Sequence, residues 1–431
     1  MRANCAYFCQ NLISMKLLFK NARIIDVKSP YNGQELDILV NDEQIEAIGN
    51  LSTEQAEGVI DLKGCWLTTG FAELHSDLGE PGNEESEDLV SGSAAAASGG
   101  FTAVGVVSNG HPHYESKTGI EFILNKSESL PIHLVPVGTL SKGRKGEELS
   151  EMFEMNQLGA HLFGDYKQGV SNANLLKLGL LYTKPFGRVM VHPENHELSA
   201  NGKMHEGATS TYIGLKGIPV VSESTQIQRD LSILEYTEGA MHIASVSTVE
   251  GIQCIREAKS KGLNVTASVN IHHLVFTDED LENYNTALKV TPPIRTDVER
   301  SILWEAVLDG TIDCIAVDHL PKDIEQKQCE FDNAEFGMAG LEGAVSALLD
   351  RYEVSEELLQ EKLSTVPRSL LNLPDLTIQE GATAEFTIIA SGNEQITAMG
   401  SKAFNNPFKG LDVNNYVKGV YVKGSYLSLY A

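Results

Sequence analysis

The chain is poor in basic residues, poor in cysteine and without a long apolar run. Its 33 Lys and Arg stand against 59 Asp and Glu in 431 residues, a formal charge of −26. Such a surface repels nucleic acid and anionic membrane, so neither is expected as a partner. The six cysteines, Cys5, Cys9, Cys65, Cys254, Cys314 and Cys329, show no Cys-x-x-Cys zinc spacing and lack the density of a disulfide scaffold. They read as reduced thiols in a cytoplasmic protein. No apolar stretch approaches the ~20 residues of a membrane span, and the opening segment, broken by Asn4, Gln10 and Asn11, makes a poor signal peptide. Met15 is an alternative start, which leaves residues 1–14 as an extension or a misassigned beginning; a lipid-modified or exported N-terminus is the other reading. Internal repeats and low-complexity linkers are missing as well.

What is present is a change of texture along the chain. From Leu17 to about Gly64 short strands alternate with turns, and Asp37 to Val40 and Gln44 to Ile48 flank Asn41-Asp42 as a hairpin would. Ala384 to Ile389 and Val417 to Gly424 return to strand character near the other end. Between them, β-rich apolar runs alternate with helical stretches. Ser91 to Ser98 reads as a helix ended by Gly99-Gly100, followed by a buried strand from Thr102 to Val107. Further strands are expected at His133 to Val137, Val189 to Val191, Val220-Val221, His242 to Val246, Val265 to Val269 and Cys314 to Val317, with a helix from Thr248 to Lys261. So many β-α units predict a parallel (β/α)8 barrel, whose site lies at the C-terminal strand ends.

The stretch from Gly70 to Gly82, Gly-Phe-Ala-Glu-Leu-His-Ser-Asp-Leu-Gly-Glu-Pro-Gly, carries the first chemical signal. It reads as a strand running into a loop, and alternation along a strand turns His75 and Asp77 to the same side, as two ligands of one cation require. A polar strand end with a tight Pro-Gly turn gives the same letters, so the stretch decides nothing by itself.

Its context does more. Glu73-Leu74-His75-Ser76-Asp77 followed by Leu78-Gly79-Glu80-Pro81-Gly82 resembles the first metal-binding strand of the amidohydrolase superfamily, and specifically the Asp-x-His-x-His and Leu-Arg-Glu-Pro-Gly of dihydroorotases and their allantoinase-like relatives. Asn109-Gly110-His111-Pro112, Phe163-Gly164-Asp165-Tyr166, His192-Pro193-Glu194-Asn195, His242-Ile243-Ala244-Ser245-Val246-Ser247, Thr291-Pro292-Pro293-Ile294-Arg295 and Ala316-Val317-Asp318-His319-Leu320-Pro321-Lys322 resemble further motifs of that family in order. The resemblance runs from Met15 to the end of the chain. It implies a barrel over residues 66–373 and one small β-sandwich assembled from residues 15–65 and 374–431.

The resemblance also implies roles. His75, Asp165, His192 and Asp318 fall on metal-ligand places, with Asp165 as the carboxylate bridging two ions and Asp318 as general base; Asn109 falls on a substrate-binding place. Four places depart from the pattern: Asp77 and Ser245 stand for ligand histidines, Gly79 for a substrate-clasping Arg, and Lys322 for a substrate-binding His. Two-metal hydrolases hold their ions about 3.5–4 Å apart and make hydroxide at neutral pH. A serine hydroxyl is a poor replacement for imidazole, so one zinc ion or none is expected, with Asp77 as a substitute ligand. Loss of a charge-assisted clasp costs about 1.5–3 kcal/mol, which Lys322 could recover only in part.

The expectation is therefore a dihydroorotase homologue of pyrimidine synthesis that has given up catalysis and serves as a structural or regulatory partner of aspartate transcarbamoylase. The alternative is an active, single-metal hydrolase of a cyclic amide. A homo-oligomer is expected in either case. Returning His to positions 77 and 245 and Arg to 79 should raise activity if the rest of the site is intact. His272 and His273 read as packing at a strand end, His111 and His113 as loop surface, and His196 and His205 as polar residues near the barrel mouth.

Overall fold

The computed structural model describes residues 16–397 and 400–428. The expected extension at 1–14 and the start at Met15 lie outside the described residues. Among those described, no helix is long and apolar enough to cross a membrane.

Eight parallel strands form the barrel: Phe71–Asp77, Phe101–Val107, His133–Pro136, Leu162–Phe163, Arg188–Val191, Met241–Ile243, Val265–Asn270 and Cys314–Ala316. The first three pair in one sheet and the last five in another, and a bridge between Gly138 and Phe163 joins them. Closure comes from the Asp77 amide, which donates to the His319 carbonyl at 2.9 Å. The apolar runs fill the interior and the space under the helices, as parallel strands buried on both faces require. Helices Leu89–Ser98, Ala173–Thr183, Val221–Thr237 and Val249–Ser260 lie among those that cover the outside.

One strand was misplaced in the sequence reading. Val220-Val221 does not continue a sheet: Val220 is helical (φ −59°, ψ −29°) and Val221 begins a helix that runs to Thr237. Two β-branched residues are too few to outweigh the helical run behind them. The fourth barrel strand is instead the two-residue Leu162–Phe163.

Both ends of the chain meet in one eight-stranded sheet, in which Cys65–Thr69 lies between Lys16–Ile25 and Phe386–Gln395. Phe19, Phe386, Tyr421 and Tyr426 pack as an aromatic cluster on it, Phe19 standing 5.4 Å from Tyr421 in an edge-to-face contact. Gly70 alone separates this sheet from the first barrel strand. The Gly70 amide donates to the Glu385 carbonyl (3.0 Å), and Thr387 Oγ1 bridges the Phe71 amide and the Gly100 carbonyl. The terminal sheet thus fixes the strand that carries His75.

Candidate active site

The barrel brings His75, Asp165, His192, Ser245 and Asp318 to the C-terminal ends of five strands. His75, Tyr166, Lys167, His192, Ser245 and Asp318 line a common cavity with a free volume of about 10 Å³, hardly room for one water molecule.

Asp318 is the centre of the arrangement, and both its oxygens accept hydrogen bonds. Lys167 Nζ donates to Asp318 Oδ2 and to the Thr291 carbonyl at 2.6 Å. Asn270 Nδ2 donates to the same Oδ2 at 2.8 Å, Tyr166 OH donates to Oδ1 at 3.1 Å, and His75 Nδ1 lies 3.4 Å from Oδ1. Burial acts to raise this carboxyl, but the Lys167 ammonium and His75 overcome it and hold the group well below the usual carboxylate range. Asp318 is therefore an ion-paired carboxylate.

Glu73 explains how Asp318 is placed. This wholly buried side chain accepts from the Val317 amide (2.7 Å) and the Asp318 amide (3.1 Å), which ties the eighth strand's end to the first strand. Three non-glycine residues of the cavity sit in left-handed backbone: Lys167 (φ 54°), Ser245 (φ 60°) and Asp318 (φ 58°). Such geometry persists only where the surroundings over-determine it.

The other carboxylates are turned to local tasks. Asp165 accepts from the Leu140 and Ser141 amides at 3.0 and 2.9 Å and from the Ser141 hydroxyl, and burial raises its carboxyl. Asp77 accepts from the Gly79 amide at 3.0 Å, and burial raises its carboxyl too. Ser245 Oγ donates to Asn270 Oδ1 at 3.1 Å. His75 keeps no hydrogen-bonded partner on either ring nitrogen, and His192 Nε2 keeps none, although Glu194 lies 3.4 Å from it. Burial pushes His192 down, so its ring is neutral.

The carboxylates of this donor set are largely engaged within the protein: Asp165 Oδ1 is taken by two backbone amides and Oδ2 by the Ser141 hydroxyl, Asp77 Oδ1 by the Gly79 amide, and the Lys167 ammonium holds Asp318. Among the described residues no three His, Cys, Asp or Glu side chains gather as a metal-holding group.

The substrate side is closed by the same kind of rearrangement. Asn109 Oδ1 accepts from Arg144 at 3.0 Å; the same guanidinium binds the Asp165 carbonyl at 3.2 Å and that of Tyr166. Lys322 Nζ pairs with Glu335 at 2.5 Å. At Gly79 (φ +75°) a Cβ would lie 2.1 Å from the Glu87 carbonyl oxygen and 2.9 Å from that of Asn83. A side chain at position 79 therefore requires the 79–88 loop to take another path.

Lys167, Arg144, Asn270 and Glu73 escaped the sequence reading as working residues. For Lys167 the available signal was its place two residues beyond Asp165 at a barrel strand end. His272 and His273 are buried as packing residues, with His273 Nε2 3.0 Å from the Pro292 carbonyl. His205 is buried, and its Nδ1 lies 3.1 Å from Arg295.

Comparison with known proteins agrees with this architecture. A family described as dihydro-orotase-like matches residues 64–251. The chain is 38% identical over 406 residues to a dihydroorotase of Ruminiclostridium cellulolyticum, covering 92% of this chain and 95% of that protein. It is 39% identical over 407 residues to a dihydroorotase of Pelotomaculum thermopropionicum, covering 92% and 94%. Among solved structures, a D-hydantoinase superposes with a TM-score of 0.81 at 24% identity, over 96% of this chain and 95% of that one. The L-hydantoinase of Arthrobacter aurescens does so with 0.81 at 23%, over 96% of each. The structural likenesses speak for the barrel fold, and the sequence relatives decide the rest: the chain belongs to the dihydroorotase-like family of amidohydrolases.

Proposed function

We propose that this chain is a non-catalytic dihydroorotase homologue that serves as a structural or regulatory partner of aspartate transcarbamoylase. The observation that carries the first half is the Lys167–Asp318 ion pair. A general base must have a free lone pair within reach of the proton it takes, and Asp318 Oδ2 accepts from Lys167 and Asn270 while Oδ1 accepts from Tyr166. Two further facts support it: Ser245 offers a hydroxyl already donated to Asn270, and no residue at position 79 can clasp a carboxylate. The partner half is supported by the family resemblance.

The test is ring opening of dihydroorotate and its reverse by the purified chain with saturating zinc, against a no-enzyme blank. No turnover above blank is expected. Turnover that Asp318→Ala abolishes would overturn the non-catalytic reading in favour of a metal-dependent cyclic amidohydrolase. Co-elution of aspartate transcarbamoylase with the tagged chain at physiological salt is expected, and separate elution of the two would overturn the partner reading.

A further inference from the structure

We propose that Lys167 is a resident cation that replaces a divalent ion beside Asp318, so that the folded barrel is independent of metal; the inference deepens the non-catalytic reading and rests on it for the meaning of the site. A carboxylate 3% exposed is costly without a compensating charge. In this family's pattern that charge is a metal; here the ammonium of Lys167 binds Asp318 Oδ2 directly and is itself anchored by the Thr291 carbonyl at 2.6 Å. The side chain is only 11% exposed, so it is a built-in group rather than a surface lysine folded over the opening.

The surroundings are consistent with a cation fixed in one position. Lys167 adopts left-handed backbone at φ 54°, and Gln168 N closes a turn onto the Asp165 carbonyl at 3.2 Å. Arg144 grips the carbonyls of Asp165 and Tyr166 immediately before it. Its loop is tied at the other end to the helix Val221–Thr237, where Arg229 donates to the carbonyls of Val170 and Ser171. The loop that delivers the ammonium is held on both sides of it.

The experiment is a double-mutant cycle read by thermal midpoint, with Lys167→Met, Asp318→Asn and the double variant, each measured with EDTA and with excess zinc. The wild-type midpoint should move by no more than about 1 °C between EDTA and zinc, and dialysed protein should hold far less than one zinc per chain. Each single variant leaves an unpaired group in the interior and should lose about 5 °C or more. The double variant removes both and should recover most of that loss. Stoichiometric zinc with a zinc-dependent wild-type midpoint would overturn the inference, and so would a double variant that loses the sum of the two single losses. If Lys167→Met does not fold, the double variant decides: folded supports the pairing and unfolded overturns it. Turnover by the wild type would sink the non-catalytic reading while leaving the cycle's result intact, so the two failures are distinguishable.

Discussion

His272 should make this protein sensitive to mild acid, by an amount the structure sets. The residue is 1% exposed on the short helix Ile271–Val275, and neither ring nitrogen has a hydrogen-bond partner. Its ring packs 4.4 Å from that of His273. Burial pushes its pKa down to about 3; Asp318 opposes the shift, and Lys167 and His75 add to it. The unfolded chain titrates this imidazole near 6.5. Above that pH the ring is neutral in both states and nothing is lost. As pH falls below 6.5 the unfolded chain binds a proton that the folded protein refuses, so stability declines until about pH 3. The whole window corresponds to about 5 kcal/mol, and the part between pH 7 and pH 5 to about 2 kcal/mol. Urea unfolding of wild type and His272→Leu at both pH values reads this share against the titrations common to the two proteins. The variant should lose about 2 kcal/mol less on going to pH 5 and should be no less stable at pH 7, since two unsatisfied buried nitrogens have been removed. Equal losses in the two proteins would refute the claim that His272 is neutral in the fold.

Three further outcomes follow from the same contacts. Glu73→Ala strips the Val317 and Asp318 amides of their acceptor and should cost about 2–5 kcal/mol by denaturant unfolding; a loss under about 1 kcal/mol would mean that water replaces the carboxylate. Gly79→Arg forces a Cβ against the Glu87 carbonyl and should cost about 3 kcal/mol or more, with no gain in ring-opening activity; a stable Gly79→Arg protein would show that the 79–88 loop can move aside. Arg144→Met frees the carbonyls of Asp165 and Tyr166 and should speed amide exchange across residues 165–171 by about tenfold, while exchange in the terminal sheet stays unchanged.

Periodicity made the barrel legible. Alternating apolar strands and helices at 101–107, 188–191, 249–260 and 265–270 were recognisable from residue type, because each must bury one face or both. The motif residues also fell at strand ends as a parallel barrel requires. Two elements escaped for a clear reason: Leu162–Phe163 is too short to show a period, and Val220-Val221 mimics a strand only while the helix behind it is ignored. The departures from the family's ligand pattern were visible at Asp77 and Ser245, but the ammonium beside Asp318 was not. A lysine in a loop reads as solvated, and only the fold shows Lys167 turned inward. Asp165 illustrates the same limit, since its letter fits a bridging ligand while Oδ1 is taken by amides 24 and 25 residues away and Oδ2 by the Ser141 hydroxyl.

The backbone strain at the barrel mouth bears on why the site kept its form. Lys167, Ser245 and Asp318 belong to loops after the fourth, sixth and eighth strands, and each occupies left-handed backbone at a cost of about 1–3 kcal/mol. A site released from all demands would relax toward ordinary backbone or exchange these residues for glycine. Here the strained residues are instead bound to one another's neighbours: Ser245 to Asn270, Asn270 to Asp318, Asp318 to Lys167, and the Asp318 amide to Glu73. That chain of contacts links the first, fourth, sixth, seventh and eighth strands at the barrel mouth. A rigid mouth presents the loops around it in a fixed arrangement, which lowers the cost of docking a protein partner. On the proposed non-catalytic reading, the internal cation and the scaffold role are two aspects of one change, in which contacts that could have served turnover serve shape.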